Sequence, residues 1–388
     1  MAEDPREAVV LTGIGAASAF GRGTGPLFGH VSAGTPAFAE VTRFDVAQRR
    51  VRTAAHAPGS PDLAAELAAV VEDACTVAGL EPGLRARCPL LLAAHTDRDP
   101  ARTPAGAAGL GQDRLSPPGD APPGLAAAVA QWCGLLAGPR VYTAACVAAS
   151  TAVADAATMI ASGRLERAVV AAGYLVEPGN FALFDAGRAL AKDGQVRPFS
   201  AGRQGMLLGD GVAAVVLESA SAARGRGADV LARLAGWGRC GDAYHVCQPR
   251  PDGAGLANAV GSALRRAAVA PAEVGYVNAN GTGTAQSDAA EAAALLRVFG
   301  ETAGRVPVSS TKSVHGHALE ASALLELVVT VLALGNGLLP VNAGFLEPDP
   351  GFELDLVLGA PREARPEYAL SVNFAFGGAN TALLVGAA

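Results

Sequence analysis

Short apolar runs rich in Val and Leu alternate along this chain with alanine-rich stretches of helical period. That alternation permits few folds. Each run is brief and evenly apolar, so it reads as a strand buried on both faces, and the intervening stretches must supply the helices that cover it. An α/β protein is expected. The pattern predicts strands at Val9–Thr12, Arg167–Ala171, Val212–Glu218, Val230–Trp237, Val274–Asn278, Pro307–Ser309, Ala369–Phe374 and Asn380–Gly386. It predicts helices at Ala64–Ala78, Leu125–Cys133, Val147–Ser162, Gly255–Ala268, Ala289–Phe299 and Ala318–Ala333. Half of the 388 residues are hydrophobic, enough for a large core without metals or disulfides. No short-period repeat is present, which excludes a solenoid. The stretch Asp97–Pro123, rich in Pro, Gly and charge, reads as a surface excursion that covers a site or contacts a partner.

A net charge of −6 and the lack of basic runs leave no electrostatic footprint for nucleic acid or an anionic membrane. The start has no positive leader region, and no later apolar stretch of about 18 residues is free of charge, so a cytoplasmic location is expected. Six cysteines, Cys75, Cys88, Cys133, Cys146, Cys240 and Cys247, are scattered without CxxC spacing, which argues against a disulfide framework or a zinc site. Most of them fit as small core residues. Lysine occurs only at Lys192 and Lys312, arginine serving elsewhere, so a retained ammonium at either point is a hint of use.

The segment from Tyr142 to Ile160 carries a single charge, Asp155, and is small or apolar on every side before Gly163 stops it. Such a helix belongs in the interior. Cys146 stands at its beginning, where unpaired N–H groups and the helix dipole favour a thiolate and hold an oxyanion. The same position also suits an inert small hydrophobe at a strand-to-helix junction.

Three loops of the second half have less structural excuse. Tyr276-Val-Asn-Ala-Asn280-Gly-Thr-Gly-Thr284 follows a strand and precedes a helix, placing its polar groups at a strand's carboxyl end. Ser309-Ser-Thr-Lys312-Ser-Val-His315-Gly-His317 also follows a strand and opens an apolar helix, where an imidazole is biased towards its neutral form. Phe374-Ala-Phe376-Gly377-Gly378-Ala-Asn380 is a glycine-rich turn between two terminal strands, able to bring a backbone N–H close to a ligand.

These motifs, with VVLTGIGAASAFG, TAAC, MIASGRLERAVVAAG, RPFSAGRQGMLLGDGVAAVVLE and GDAYHVCQP, resemble nearly end to end the β-ketoacyl-acyl carrier protein synthases I and II and the type II polyketide ketosynthases. The resemblance implies a thiolase fold, five-layered αβαβα, with an N-terminal half over residues 1–230 and a C-terminal half over residues 231–388. It implies an acyltransferase of polyketide or specialised fatty-acid biosynthesis, dimeric as a homodimer or a ketosynthase-type heterodimer. Substrates would arrive on the phosphopantetheine of acyl carrier protein, with no cofactor or metal bound to the enzyme itself. Carried onto this chain, Cys146 is the nucleophile, and its N–H with that of Phe376 is the oxyanion hole. Phe376 is also the gate, with Gly377 and Gly378 supporting it. His317 and Lys312 belong to the active site, and Glu326 anchors Lys312.

The departures from that family matter equally. Asn280 stands where the first active-site histidine is usual, and an asparagine holds a carbonyl but takes up no proton. The site is therefore Cys, Asn, His. Ala375 and Glu320 replace glycines, Ser200 replaces an aspartate and Leu175 a glutamate. His315 replaces a threonine and is a candidate substitute imidazole, while His245 fits a structural motif. The stretch 97–138 matches the family poorly. An acyl group loaded on Cys146 and then transferred or atypically condensed is the leading expectation. Ordinary decarboxylative Claisen elongation and a non-catalytic subunit like a chain-length factor are the alternatives. A thiolase with a second catalytic cysteine is disfavoured, because no cysteine follows Cys247.

Overall fold

Strands buried on both faces need helices above and below, and the chain meets that need twice. The computed structural model describes residues 7–95 and 122–388. Most of its strands join one sheet, in the order Asp355–Leu356, Pro307–Ser309, Val274–Asn278, Tyr368–Ala375, Ala379–Ala387, Ala232–Gly241, Val9–Ser18, Gly211–Ser219, Arg167–Tyr174, Leu90–Ala93, Arg140–Tyr142. The middle of the sheet is the meeting of Val9–Ser18 with Ala232–Gly241, through Val10 opposite Arg233 and Leu11 opposite Ala232. Outward from that seam the same succession runs on both sides: two antiparallel pairings, then parallel ones.

Helices Ala148–Ala161 and Ser322–Asn336 pack on each other between the two sides of the sheet, within one continuous apolar core. Leu63–Val77 and Pro122–Trp132 cover one outer face over a second core. Ala254–Ala267 and Ala285–Phe299 cover the other over a third. The layers are thus αβαβα, the thiolase fold. The outer helices lie directly on strand backbone. A Cβ at Gly15 would come 2.3 Å from the Val70 carbonyl oxygen, and one at Gly238 1.9 Å from that of Ala259. Only glycine admits that approach.

Every predicted strand and helix has a counterpart, with shifted ends. Val9–Ser18 runs past the predicted Thr12, because Gly13 and Gly15, which look like breakers, mark close packing instead. Strands Leu90–Ala93 and Arg140–Tyr142 and helices Thr24–Ala33 and Pro178–Ala186 were not predicted, being short or rich in Gly and Pro. All but the last two residues of the Asp97–Pro123 excursion lie outside the described residues, and those two open the helix Pro122–Trp132. The stretch Leu319–Asn336 is long and apolar enough to cross a membrane, but 83% of it is buried inside the protein. Cys75, Cys88 and Cys133 are core residues, whereas Cys247 is exposed.

Candidate active site

The two central helices meet at their N-terminal ends, and there the chain gathers its unusual side chains. A cavity of about 490 Å³ is lined by Cys146, Asn280, His317 and Phe376, and farther out by Arg203, Thr282, Thr284 and Gln248. The Cys146 segment and the three loops of the second half therefore converge. Lys312 and Glu326 form the layer behind them, 1% and 0% exposed at their side chains.

Cys146 does not sit in the first α-helical turn. It occupies a 3₁₀ turn, Ala145–Val147, ahead of the helix Ala148–Ala161. Ala145 takes a left-handed backbone at φ 47°, a strained choice for a residue with a Cβ, and this turns the next side chain into the cavity wall. The expected thiolate is corrected. Burial pushes the Cys146 thiol up to about 12, and the Glu320 carboxylate adds to that push. Lys312 and the cysteine's own backbone N–H act the other way without prevailing.

Asn280 follows the strand Val274–Asn278, separated from its end by Ala279. Its backbone N–H and that of Gly281 donate to the two carboxyl oxygens of Glu291, both at 2.7 Å. Asp288 does likewise for the N–H of Gly283, at 3.1 Å, and of Phe199, at 2.8 Å. Burial raises Glu291 to about 8 and Asp288 to about 7 against the bonds from those N–H groups. Neither acid was singled out in the sequence. The signal available was two acidic residues in the first turns of an alanine-rich helix directly after the loop.

Lys312 donates to Asn280 Oδ1 at 3.2 Å. An ammonium carries no acceptor, so it fixes the amide with oxygen towards lysine and Nδ2 away. That Nδ2 is buried and has no partner among the described residues. The site thus holds an unspent N–H donor in the wall it shares with Cys146. Lys312 Nζ also lies 2.6 Å from Glu326 Oε1, a charge contact, and Asn373 Nδ2 donates to Glu326 Oε2 at 2.6 Å. Burial raises Glu326, with Lys312 and Asn373 opposing. Lys192, the other lysine, is exposed.

His317 Nδ1 lies 2.7 Å from Ser322 Oγ, which also accepts from the Ala318 N–H at 2.8 Å. Burial, Lys312 and His315 together hold the His317 imidazole well below its usual range, so it is neutral at pH 7, as its position predicted. The cause is different: desolvation and a neighbouring cation dominate, not the helix end. His315 is not a substitute imidazole. It is fully buried, its Nε2 is 3.0 Å from Thr311 Oγ1, and it is not among the residues lining the cavity. His245 is structural, its Nδ1 accepting from the N–H groups of Cys247 and Gln248.

Phe376 lies at the cavity mouth, 51% exposed, its ring centroid 6.0 Å from that of Phe184 and nearly parallel to it. The turn beneath it needs Gly377 and Gly378, at φ 84° and 73°. Gly377 donates to the Val246 carbonyl at 2.8 Å, tying the turn to the cavity's rim. Ser200 bonds the backbone of residues 346 and 347 and has no part in the cavity.

The model of the β-ketoacyl synthase N-terminal domain matches residues 91–223, and that of the C-terminal domain residues 231–346. The chain belongs to the β-ketoacyl synthase family. Within it, the tetracenomycin polyketide synthase ketoacyl synthase alpha subunit of Streptomyces glaucescens is 32% identical over 99% of this chain and 98% of its own length. Nodulation protein E of Rhizobium leguminosarum bv. trifolii is 42% identical over 68% of this chain, a match spanning 66% of that relative's length. A ketosynthase solved in complex with its type II polyketide synthase acyl-carrier protein superposes with a TM-score of 0.91 at 25% identity, over 99% of this chain and 100% of that one.

Proposed function

We propose that this family member is an acyl-thioester enzyme that takes an acyl group from acyl carrier protein onto Cys146, then transfers it or condenses it with a Cys–Asn–His site. One observation carries the choice: the buried Asn280 Nδ2, with Lys312 on its Oδ1 and no partner of its own, beside Cys146 in the cavity wall. A thioester carbonyl oxygen fits that donor. The outer cavity, with Thr282, Thr284 and Gln248, suits the amides of a phosphopantetheine arm.

In acylation the Cys146 sulfur bonds the thioester carbon, the bond from that carbon to the pantetheine sulfur breaks, and the proton of Cys146 ends on the departing sulfur. The oxyanion that forms meanwhile would rest on the backbone N–H groups of Cys146 and Phe376. Gly377 and Gly378 would let the Phe376 side chain swing as a gate. Lys312, paired with Glu326, would hold Asn280 in register. Condensation asks more. When a carrier-bound malonyl group loses carbon dioxide, charge builds on its thioester oxygen, and Asn280 and His317 are the donors available there. Neither is a cation, since Asn280 has no charged form and His317 is held neutral. Stabilisation of that charge is weaker than an imidazolium would supply. Transfer is therefore favoured over elongation. Acyl carrier protein and a second subunit, identical or of ketosynthase type, are the partners this function requires, in the cytoplasm, in polyketide or specialised fatty-acid synthesis.

Intact-mass measurement with acyl and malonyl carrier substrates tests the proposal, comparing the native chain with Asn280→His and Cys146→Ala. The native chain should gain one acyl group that Cys146→Ala does not. Asn280→His should release carbon dioxide on the order of tenfold faster. If both form β-keto product equally, ordinary decarboxylative elongation replaces transfer. If the native chain takes up no acyl group, the non-catalytic chain-length-factor role stands instead.

A further inference from the structure

The active-site cavity has a second thiol on its wall that acylation of Cys146 does not use. Cys247 lies in the loop joining the strand Ala232–Gly241 to the helix Ala254–Ala267, and it lines the same cavity of about 490 Å³ as Cys146. It is free and exposed, whereas Cys146 is only partly exposed. The loop is pinned on both sides of the sulfur. The N–H groups of Cys247 and Gln248 donate to His245 Nδ1 at 3.0 and 3.2 Å. One residue earlier, the Val246 carbonyl accepts from Gly377, in the turn that carries Phe376. At the base of the loop Asp242 accepts from the Arg250 N–H at 3.0 Å and from Asn380 Nδ2 at 2.8 Å. Cys247 is thus held at the rim, beside the gate.

The cavity that the two sulfurs share has an unfinished wall. Asn280 is 1% exposed, Lys312 holds its Oδ1, and its Nδ2 has no partner among the described residues. A buried N–H donor left open in a cavity wall fits a ligand's oxygen. Farther out, Gln248 and the hydroxyls of Thr282 and Thr284, 3.2 Å apart, offer both donors and acceptors. A pantetheine chain carries amides along its length and a sulfur at its end, which suits a cavity with such groups and a thiol on its wall. Exchange with a disulfide begins from a thiolate. Burial holds Cys146 a thiol, pushed up to about 12, while Cys247 stands in water.

We propose that Cys247 is a modification site for a small disulfide of a pantetheine thiol, which forms a mixed disulfide at the rim, lays its chain in the cavity and shuts Cys146 off from substrate. The Cys247 sulfur bonds one sulfur of the incoming disulfide, and the bond between the two pantetheine sulfurs breaks. The departing sulfur leaves with the electron pair and takes up the proton that Cys247 gave. Cys247 is oxidised, the departing pantetheine is reduced, and an added thiol reverses the step. The choice of ligand rests on the outer cavity being the place of a pantetheine arm. Acyl uptake in this protein is then switched by the redox state of the thiols that deliver its substrates.

The probe is pantethine, the disulfide of pantetheine, with glutathione disulfide as the control, each read by peptide mass at neutral pH. Pantethine should add a single pantetheine to Cys247, on the order of tenfold faster than glutathione disulfide adds its own thiol, and dithiothreitol should remove it. The modified chain should acylate Cys146 about tenfold more slowly or worse, and iodoacetamide should alkylate Cys146 more slowly by a similar factor. In Cys247→Ser neither reaction should respond to pantethine. No adduct on Cys247, equal rates for the two disulfides, or an adduct that leaves Cys146 as reactive as before overturns this inference alone. A native chain that takes up no acyl group overturns the proposed function instead, and alkylation of Cys146 still reads whether the adduct shuts the cavity.

Discussion

Replacing Glu326 by leucine removes the counter-charge of a lysine that is 1% exposed. At the observed 2.6 Å, and an effective dielectric of about 20, the lost attraction is about 6 kcal/mol. Part of it is offset because one carboxylate no longer needs desolvating, and the net cost of stranding a buried partner is about 3–5 kcal/mol. Asn373, which donates to Glu326 Oε2, loses its acceptor as well and pushes the cost to the upper end. Lys312→Met in the same background removes the stranded charge, so the double variant should recover about 2 kcal/mol or more of that loss. Urea denaturation of the two singles and the double, with equal m-values, measures the cycle. A Glu326→Leu cost below about 1 kcal/mol, or a double variant no better than that single, would refute a paired charge at this point.

Other consequences are separable. His315 is held at about 3 by burial and Lys312, while the unfolded imidazole titrates near 6.5. Its contribution is present above pH 6.5 and lost as pH falls towards 3, at up to about 1.4 kcal/mol per pH unit. Because Asp288 and Glu291 are raised and pull the other way, the quantity to measure is the native chain minus His315→Gln across that range, which should fall with acid. Gly238→Ala, whose Cβ would lie 1.9 Å from the Ala259 carbonyl oxygen, should cost about 3 kcal/mol in thermal or urea unfolding. Ser322→Ala leaves His317 Nδ1 without its 2.7 Å partner and should slow acylation of Cys146 about tenfold, measured by time-resolved intact mass, with stability changed less.

The fold was largely legible because its strands are buried on both faces, and an unbroken apolar run such as Val212 to Leu217 cannot be placed otherwise. Strands of three or four residues, Leu90–Ala93 and Arg140–Tyr142, leave too little pattern to see. Cys146, Asn280, Lys312, His317 and Phe376 stood out because polar or reactive groups beside apolar runs have few structural uses. The state of the Cys146 sulfur was not legible. It depends on desolvation and on Glu320, a residue 174 positions away that only the packing of two turns brings near. Glu291 was hidden for the same reason: its role in holding the Asn280 loop is a matter of two N–H groups, which no side-chain pattern records.

The seam where Val9–Ser18 pairs with Ala232–Gly241 has a consequence for motion. Two bodies joined by a linker can open and close like jaws, but two bodies sharing a sheet, with two helices packed between them, cannot rotate apart without breaking ladder bonds and opening the central core. Traffic to Cys146 must then be controlled at the scale of single side chains. The half-exposed Phe376 ring, resting on Phe184 above a pair of glycines, is the part of the cavity mouth light enough to move. Ligand access in this protein should therefore run on the fast timescale of a ring and a short turn rather than the slower one of domain closure.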